Sequence, residues 1–273
     1  MEEQEPIEPE GVGLEKDSAF WQTVSASVCG SSHEKSGLPC QDRHCVEALA
    51  DDVLLIAVAD GAGAAAYAEE GATLAVQAAV NCLSFNCERL RSGGDDAEWE
   101  AVLRMAVEEA REAVLAAATK RETEARQFAS TLIVVIARAD VVACTQVGDG
   151  GVVVWGSDGQ LIALTIPQSG EYLNETTFLT SDDALETLQS LVWRGPVTGL
   201  AAFSDGLQML CLKLPEGIPH APFFAPLFRF AESGRDANET RAQLENFLRS
   251  TKIRQFTDDD LTLVLAIPDL CIR

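Results

Sequence analysis

Three aspartates stand where apolar runs of the sequence begin or end. They are Asp60, Asp205 and Asp259, which adjoin the runs at residues 53–59, 200–203 and 261–267. A carboxylate at the mouth of a buried strand needs a neutralising partner. No Lys or Arg lies within several residues of Asp60 or Asp205. A hard divalent cation, which prefers oxygen ligands and keeps much of its water, is the simplest partner, so the pattern predicts an enzyme that uses Mg²⁺ or Mn²⁺.

The composition narrows the class of protein. The 273 residues include 43 Asp and Glu but only 20 Lys and Arg, for a net charge of −23, and the basic residues form no cluster. Nucleic-acid binders need a basic stripe, so we expect no nucleic-acid partner. An apolar share of 47% can fill a large core. We expect a single domain at residues 18–273 behind a disordered acidic tail at residues 1–17.

The sequence gives no sign of a membrane span or of a secreted protein. No apolar run approaches the roughly 20 residues that a transmembrane helix requires. The first residues, MEEQEPIEPEG, are acidic, whereas a signal peptide begins with basic residues and continues with an apolar run. The eight cysteines form no C-x-x-C pair, which favours reduced, buried thiols over a disulfide frame or a zinc site. We therefore expect a cytoplasmic protein without a membrane partner.

The order of apolar patterns predicts an α+β protein. Period-two or continuous apolar runs predict strands, and runs with helical spacing predict two long helices after the second strand. Four strands between residues 130 and 164, separated by Asp/Gly turns, are predicted to form an antiparallel meander. The predicted strands are 21–29, 53–59, 130–137, 141–146, 152–155, 161–164, 197–203 and 261–267; the predicted helices are about 65–83, the turn at 92–96 to about 120, 205–212, 222–231 and, as the last, 241–248.

Further aspartates extend the set at strand ends. An Asp-Gly pair after a strand is usually just a turn, but here such motifs recur at the ends of separate strands, as a site for two metal ions requires. The motifs are CQD with Asp42, VADGAG with Asp60, VGDGG with Asp149, FSDG with Asp205 and TDDDLT with Asp259.

The order and spacing of these motifs resemble the metal-dependent protein phosphatase 2C (PPM) family, and the loop SSHEKSGLPCQD resembles a bacterial-type branch of it. The resemblance runs from about residue 24 to residue 267. It implies a four-layer α-β-β-α sandwich, in which two antiparallel sheets are flanked by helix pairs. It also implies hydrolysis of phosphoserine and phosphothreonine in proteins by a water activated between two ions, Mg²⁺ or Mn²⁺, with a third ion conceivable.

The resemblance assigns a role to each acidic residue. Asp60 would bridge both ions, with the Gly61 carbonyl as a further oxygen ligand. Asp205 and Asp259 would complete the first ion's shell, and Asp42 would be a ligand directly or through water. Asp149 would share a looser third ion with Asp205.

Four positions depart from the family pattern. The usual acidic residue before Asp42 is Gln41, a usual glycine is Ala64, and the closing asparagine is Asp260. The loop before Asp42 lacks the phosphate-binding arginine of many members and offers only His33 and Lys35. A surface histidine is usually idle, but at the mouth of a metal site His33 could donate to phosphate or protonate the leaving oxygen, so we include it with Asp42 and Asp60 as catalytic.

Two alternatives remain open at this stage. Gln41 and the missing arginine would also fit a weak or inactive phosphatase-like domain that acts as a regulatory binding module. The same fold could instead serve another two-metal hydrolase that acts on small molecules. On the leading interpretation the protein is a monomer that acts on phosphoprotein substrates, and its negative charge favours substrates with basic flanks.

Overall fold

The computed structural model describes residues 20–49, 52–86, 94–167 and 176–269. The predicted acidic tail at residues 1–17 lies outside these ranges. No helix among the described residues has both the length and the apolar character needed to cross a bilayer. The described residues form two five-stranded antiparallel sheets and one two-stranded ribbon.

The strands and helices alternate along the chain as the sequence patterns indicate. The strands are β1 Trp21–Val28, β2 Arg43–Ala48, β3 Leu54–Ala59, β4 Leu132–Ala137, β5 Val141–Val147, β6 Gly151–Gly156, β7 Leu161–Thr165, β8 Gln189–Arg194, β9 Val197–Phe203, β10 Leu212–Lys213, β11 Ile218–Pro219 and β12 Leu261–Pro268. The helices are α1 Ser31–Ser36, α2 Ala68–Phe85, α3 Asp96–Lys120, α4 Gln208–Cys211, α5 Ala221–Ser233, α6 Ala237–Leu248 and α7 Thr251–Arg254, with 3₁₀ turns at Ala125–Phe128 and Asp205–Leu207.

The two large sheets pack face to face and each carries helices on its outer face. The orders are β1-β12-β9-β6-β7 and β2-β3-β4-β5-β8. Side chains alternate along β3: Leu54 and Ile56 belong to the core between the sheets, whereas Leu55 packs towards α2 and α3. The other sheet packs its outer face against α5 and α6. The predicted four-layer α-β-β-α sandwich is therefore confirmed.

The long helix α3 begins at the turn that the sequence predicts before it, because a capping box fixes its first residues. The Asp95 side chain accepts a hydrogen bond from the Glu98 backbone, and Glu98 reaches back to the Asp95 backbone, so the helix begins with a complete capping box. Its buried face repeats at helical spacing from Trp99 to Ala118. The helix packs beside α2, as the sequence predicts.

Parts of the predicted connectivity are wrong. The strands between residues 130 and 164 are two separate hairpins and no single meander, because β5 belongs to one sheet and β6 to the other. The turn between them holds Gly148 and Gly150 at φ angles of 92° and 104°, which L side chains rarely adopt. These glycines let the chain cross from sheet to sheet. Strand β8 was not predicted, and helix 241–248 is not the last, since α7 follows it.

Candidate metal centre

The strand pairing brings the acidic motifs to one end of the sandwich. Arg43 of β2 pairs with Ala59 of β3 in antiparallel register, so Asp42, just before β2, lies beside Asp60, just after β3. In the other sheet, Leu263 of β12 pairs with Phe203 of β9. The residues before β12 and after β9 therefore also meet. Antiparallel pairing thus joins acidic residues that are far apart in the sequence.

Asp205 and Asp259 are the pair that this second register brings together, and Asp149 joins them from the sheet-crossing turn. Gly151 pairs with Phe203, which places Asp149 at the same end as Asp205. All five predicted acidic residues are therefore gathered at one end of the molecule.

The carboxylates raise one another's pKa. Burial, above all, raises the pKa of Asp60 well above its ordinary value, and the charges of Asp42 and Asp205 raise it further. Burial raises the pKa of Asp205 to about 8, with added effects of Asp149 and Asp259. Desolvation and like charge both disfavour the ionised form, so the cluster holds unfavourable negative charge that a cation would relieve.

Asp42 is the most deeply buried of the five and is partly satisfied. Burial raises its pKa to about 6, although the Ser204 hydroxyl, which donates to Asp42 Oδ2 at 2.6 Å, opposes the rise. The other oxygen, Oδ1, has no hydrogen-bond partner. Ser204 itself is fixed by the Thr262 backbone N–H, at 2.9 Å.

Two more buried oxygens in the cluster have no partner, Oδ1 of Asp149 and Oδ1 of Asp205. The second oxygen of Asp149 accepts from Thr176 Oγ1 at 2.9 Å. Within the described ranges, no Lys or Arg forms a salt bridge with any of the five carboxylates. Buried, unpaired carboxylate oxygens without a protein cation are the donor set that Mg²⁺ and Mn²⁺ prefer, so these residues fit a hard-metal site.

The cluster is spread out, and Asp259 lies at its rim. Asp259 is exposed to solvent, yet partial desolvation and the charge of Asp260 raise its pKa. Among the described residues, only Cys29, His33 and Asp260 place three ligand atoms within 4.8 Å of one another. A site for two ions about 3.5–4 Å apart needs a wider spread of ligands than one ion does, with water between them.

Gly61 lies where the backbone must come close to its neighbours. Its backbone bridges Ser130, and a Cβ at this position would lie 2.9 Å from atoms of Ala68 at the start of α2. Next to it, the Asp60 carbonyl accepts from the Thr131 N–H at 2.8 Å and the Asp60 N–H donates to Thr131 Oγ1 at 3.0 Å. The backbone of the Asp60-Gly61 turn is therefore rigidly held.

His33 and Asp260 form a contact that the sequence reasoning missed. His33 Nδ1 lies 2.9 Å from Asp260 Oδ2. The Asp260 carboxylate also accepts backbone N–H groups from Gly30 at 2.6 Å and Gln41 at 2.5 Å. Two departures from the family pattern, an unusual histidine and an unusual aspartate, could have suggested this pair.

The basic residue nearest the acidic loop is engaged elsewhere. Arg43 Nη1 donates to the carbonyls of Cys40 and Asp42 at 2.8 and 2.7 Å, and its Nη2 pairs with Glu69. Arg43 therefore holds the loop in shape. The Gln41 side chain is buried, and its Oε1 has no partner.

Known proteins agree with this architecture. The family model described as protein phosphatase 2C matches residues 29–249. Serine/threonine-protein phosphatase 3 of Escherichia coli K12 is 37% identical over 254 residues, covering 90% of this chain and 98% of the relative. The family is metal-dependent.

Solved structures show the same fold at low sequence identity. The serine/threonine phosphatase of S. agalactiae aligns with a TM-score of 0.62 and 14% identity over 92% of this chain and all of that chain. RsbX, solved in complex with magnesium, aligns with a TM-score of 0.53 and 16% identity over 91% of this chain and 96% of that one. From the family match and the curated relative, this chain belongs to the protein phosphatase 2C family and is a protein serine/threonine phosphatase.

Proposed function

We propose that this chain hydrolyses phosphoserine and phosphothreonine in proteins at a site that holds two divalent ions, Mg²⁺ or Mn²⁺. The observation that carries the proposal is the set of buried carboxylates whose pKa values are raised and whose oxygens lack partners. The magnesium in the RsbX structure belongs to that protein, and it supports the choice of a hard ion here.

Each residue of the cluster has a part in this proposal. Asp60 would be a ligand of both ions, and the Gly61 carbonyl would add an oxygen. Asp205 and Asp259 would hold the first ion, and Asp42 would hold the second directly or through water. Asp149 and Asp205 are the residues that would hold a looser third ion.

The ions, when bound, supply charge neutralisation for the phosphoryl group and a water acidic enough to attack phosphorus. Three side chains of the protein would orient the ligands, the water and the substrate. Ser204 orients the Asp42 carboxylate through the 2.6 Å hydrogen bond. Gln41 has a buried Oε1 without a partner, which could accept a hydrogen bond from a metal-bound water. His33 stands at the mouth, where it meets the phosphoryl group or the leaving oxygen.

The test is hydrolysis of para-nitrophenyl phosphate and of a phosphothreonine peptide, each with and without Mn²⁺ or Mg²⁺. We expect turnover that depends on the metal and that falls by more than about 100-fold in Asp60→Asn, because the bridging charge is lost. A second variant and its control are neighbours in the sequence. Asp259→Asn removes a proposed ligand, whereas the control Asp258→Asn changes another exposed carboxylate one residue away. Only the first should weaken metal activation.

A regulatory module with little catalysis is the second candidate, and Gln41 is the observation that favours it. An amide in place of the family's acidic residue lowers the negative charge beside Asp42. This candidate predicts metal binding, measured by calorimetry, without turnover of any phosphopeptide. Turnover of para-nitrophenyl phosphate alone would point to a small-molecule substrate and count against the protein-phosphatase assignment.

A further inference from the structure

His33 is held by more than a chance surface contact. Its side chain is 12% exposed and that of Asp260 is 1% exposed. An ionised carboxylate only accepts hydrogen bonds, and Asp260 already receives backbone N–H groups from Gly30 and Gln41. His33 Nδ1 therefore carries the proton in this contact, which leaves Nε2 as the free face of the ring.

The short helix α1, which carries His33, is fixed to the acidic end of the sandwich. The Ser32 N–H donates to the Asp258 carbonyl at 2.9 Å. Glu34 forms a two-pronged ion pair with Arg254 of α7, at 2.6 and 2.8 Å. The imidazole is thus positioned by the loop as well as by Asp260.

The free nitrogen of His33 lies beside the turn that follows Asp60. A Cβ built on Gly63 would lie 3.9 Å from His33 Nε2, so this nitrogen lies against the turn that follows Asp60. His33 also interacts electrostatically with Asp259, where it opposes the rise in the pKa of that carboxyl. The ring therefore lies close to the turn that follows Asp60 and near Asp259, two parts of the proposed metal site.

We propose that Asp260 is a positioning residue that holds His33 so that Nε2–H protonates the leaving seryl or threonyl oxygen, an inference that rests on the proposed function. A water oxygen forms the new bond to phosphorus, and the ester P–O bond breaks. The seryl oxygen keeps that electron pair and takes the proton from Nε2. The attacking water loses one proton to solvent, and solvent returns one to His33, so the net reaction consumes one water.

The family's usual asparagine supplies the obvious variant, Asp260→Asn. It keeps the size of the side chain but removes the charge that orients the imidazolium. On a phosphothreonine peptide we expect kcat to fall roughly 10- to 100-fold, with KM and the Mn²⁺ concentration for half activation changing less than about threefold. On para-nitrophenyl phosphate the loss should stay below about threefold, because that leaving group needs no proton.

A double-mutant cycle separates positioning from folding. His33→Asn retains a donor near the Nδ1 position and removes Nε2, and we expect it to reproduce the substrate-dependent loss. In that background Asp260→Asn should cost less than about twofold more. Cys29→Ala alters the third member of the same cluster and should leave kcat within about twofold.

An NMR measurement does not depend on turnover. The chain has three histidines, so the imidazole resonances of the Mg²⁺-loaded or metal-free protein can be assigned with His33→Asn as reference. We expect a downfield, exchange-protected Nδ1–H signal from His33 that Asp260→Asn removes.

The outcomes are distinct. Equal losses on both substrates, a full loss from Asp260→Asn in the His33→Asn background, an equal loss in Cys29→Ala, or no Nδ1–H signal would each overturn the positioning role. A wild-type protein that shows the signal but hydrolyses no phosphopeptide would instead refute the proposed function, and the pair would then be a purely structural contact.

Discussion

Asp205 and Asp260 lie at the same end of the sandwich, but the protein treats their carboxylates in opposite ways. Asp205 has a buried oxygen without a partner, and its pKa is raised to about 8 by burial and by neighbouring carboxylates. Asp260 is more deeply buried, but the chain surrounds it with two backbone N–H groups and the His33 ring.

The difference shows how a buried carboxylate that lacks hydrogen-bond donors, and so is suited to bind a cation, can be told from one whose donors come from the protein itself. Burial alone does not distinguish them. The count of hydrogen-bond donors does, because an uncompensated buried charge costs stability, whereas a satisfied one organises the groups around it. The metal-free protein should therefore be limited in stability by the acidic cluster.

The largest effect should come from exchanging each carboxylate for an amide. Asp205→Asn should lower metal-dependent turnover by more than about 100-fold, since a proposed ligand is lost. The same change should stabilise the metal-free protein by about 1–3 kcal/mol, because it removes repulsion. Asp260→Asn should do the reverse to stability, lowering it by about 1–3 kcal/mol through a lost charge-assisted hydrogen bond.

Urea unfolding in the presence of EDTA measures both changes in the free energy of unfolding. If both variants shift the midpoint in the same direction, the contrast between the two carboxylates is wrong. Unchanged turnover in Asp205→Asn would remove this residue from the proposed site.

Metal binding should stabilise the protein more at high pH than at low pH. The folded-state pKa values of Asp42 and Asp205, about 6 and about 8, are above the ordinary value. Without metal, the stability that these groups permit is therefore greatest below pH about 4 and is lost as the pH rises towards 8. On the proposed function, Mg²⁺ bound by these carboxylates should replace the protons and remove this loss.

Thermal unfolding with EDTA and with Mg²⁺ at pH 5 and pH 8 checks this expectation. An ion at 100 times its Kd adds about 2.7 kcal/mol, and the gain should be larger at pH 8. Asp60→Asn is the control in which the gain should nearly vanish. A gain that is independent of pH would contradict the raised pKa values.

Much of the acidic cluster could be predicted from the sequence, but its surroundings could not. Asp60 directly follows an apolar strand and Asp205 lies two residues after the end of another, so their position at a strand end is a local feature. Antiparallel pairing then brings the strand ends together. The contact between His33 and Asp260 joins residues 227 positions apart and depends on how α1 packs, which no local pattern encodes.

The predicted meander failed for a related reason. Both hairpins have clear turn signals. Whether the chain stays in one sheet or crosses to the other depends on the positive φ angles of Gly148 and Gly150. In the sequence, an Asp-Gly turn of this kind cannot be distinguished from an ordinary hairpin turn. Strand β8 was missed because its sequence, QSLVWR, has a half-exposed face without regular alternation. It is defined by its pairing with β5.

A partly buried histidine, His44, should give a pH dependence opposite to that of the acidic cluster. His44 Nδ1 lies 2.8 Å from Ser27 Oγ, and burial, with added effects of Arg241 and Arg43, lowers the pKa of His44 to about 4. Its contribution to stability is present above the ordinary histidine pKa of about 6.5 and is lost as the pH falls towards 4. We expect a loss of up to about 3 kcal/mol across this window.

His44→Gln is the variant that isolates this contribution. The difference in unfolding free energy between wild type and variant should shrink as the pH falls from 7 to 4 in EDTA. A difference that does not change with pH would mean that His44 titrates normally. Together with the Mg²⁺ experiment, this result separates the two opposing sources of pH dependence.

The smallest effect on activity should follow from removing a hydrogen-bond donor from Asp42, the partly satisfied carboxylate of the cluster. Ser204→Ala removes the hydroxyl that donates to Asp42 Oδ2, in a buried carboxylate whose Oδ1 already has no hydrogen-bond partner. The pKa of Asp42 should rise further, so if Asp42 binds the second ion as proposed, more protons must leave on binding. We expect the Mn²⁺ concentration for half activation to rise roughly 3- to 10-fold, with turnover at saturating Mn²⁺ reduced less than about threefold.

Ser190→Ala is the matched control, since Ser190 also forms a hydroxyl hydrogen bond, to Thr145 at 2.9 Å, but on the edge strand β8. It should leave the activation curve unchanged. An equal shift in both variants would indicate a general loosening of the sandwich. A shift confined to Ser204→Ala, and larger at pH 6 than at pH 8, would show that the hydroxyl acts by keeping Asp42 ionised, since protons compete with the ion most strongly at low pH.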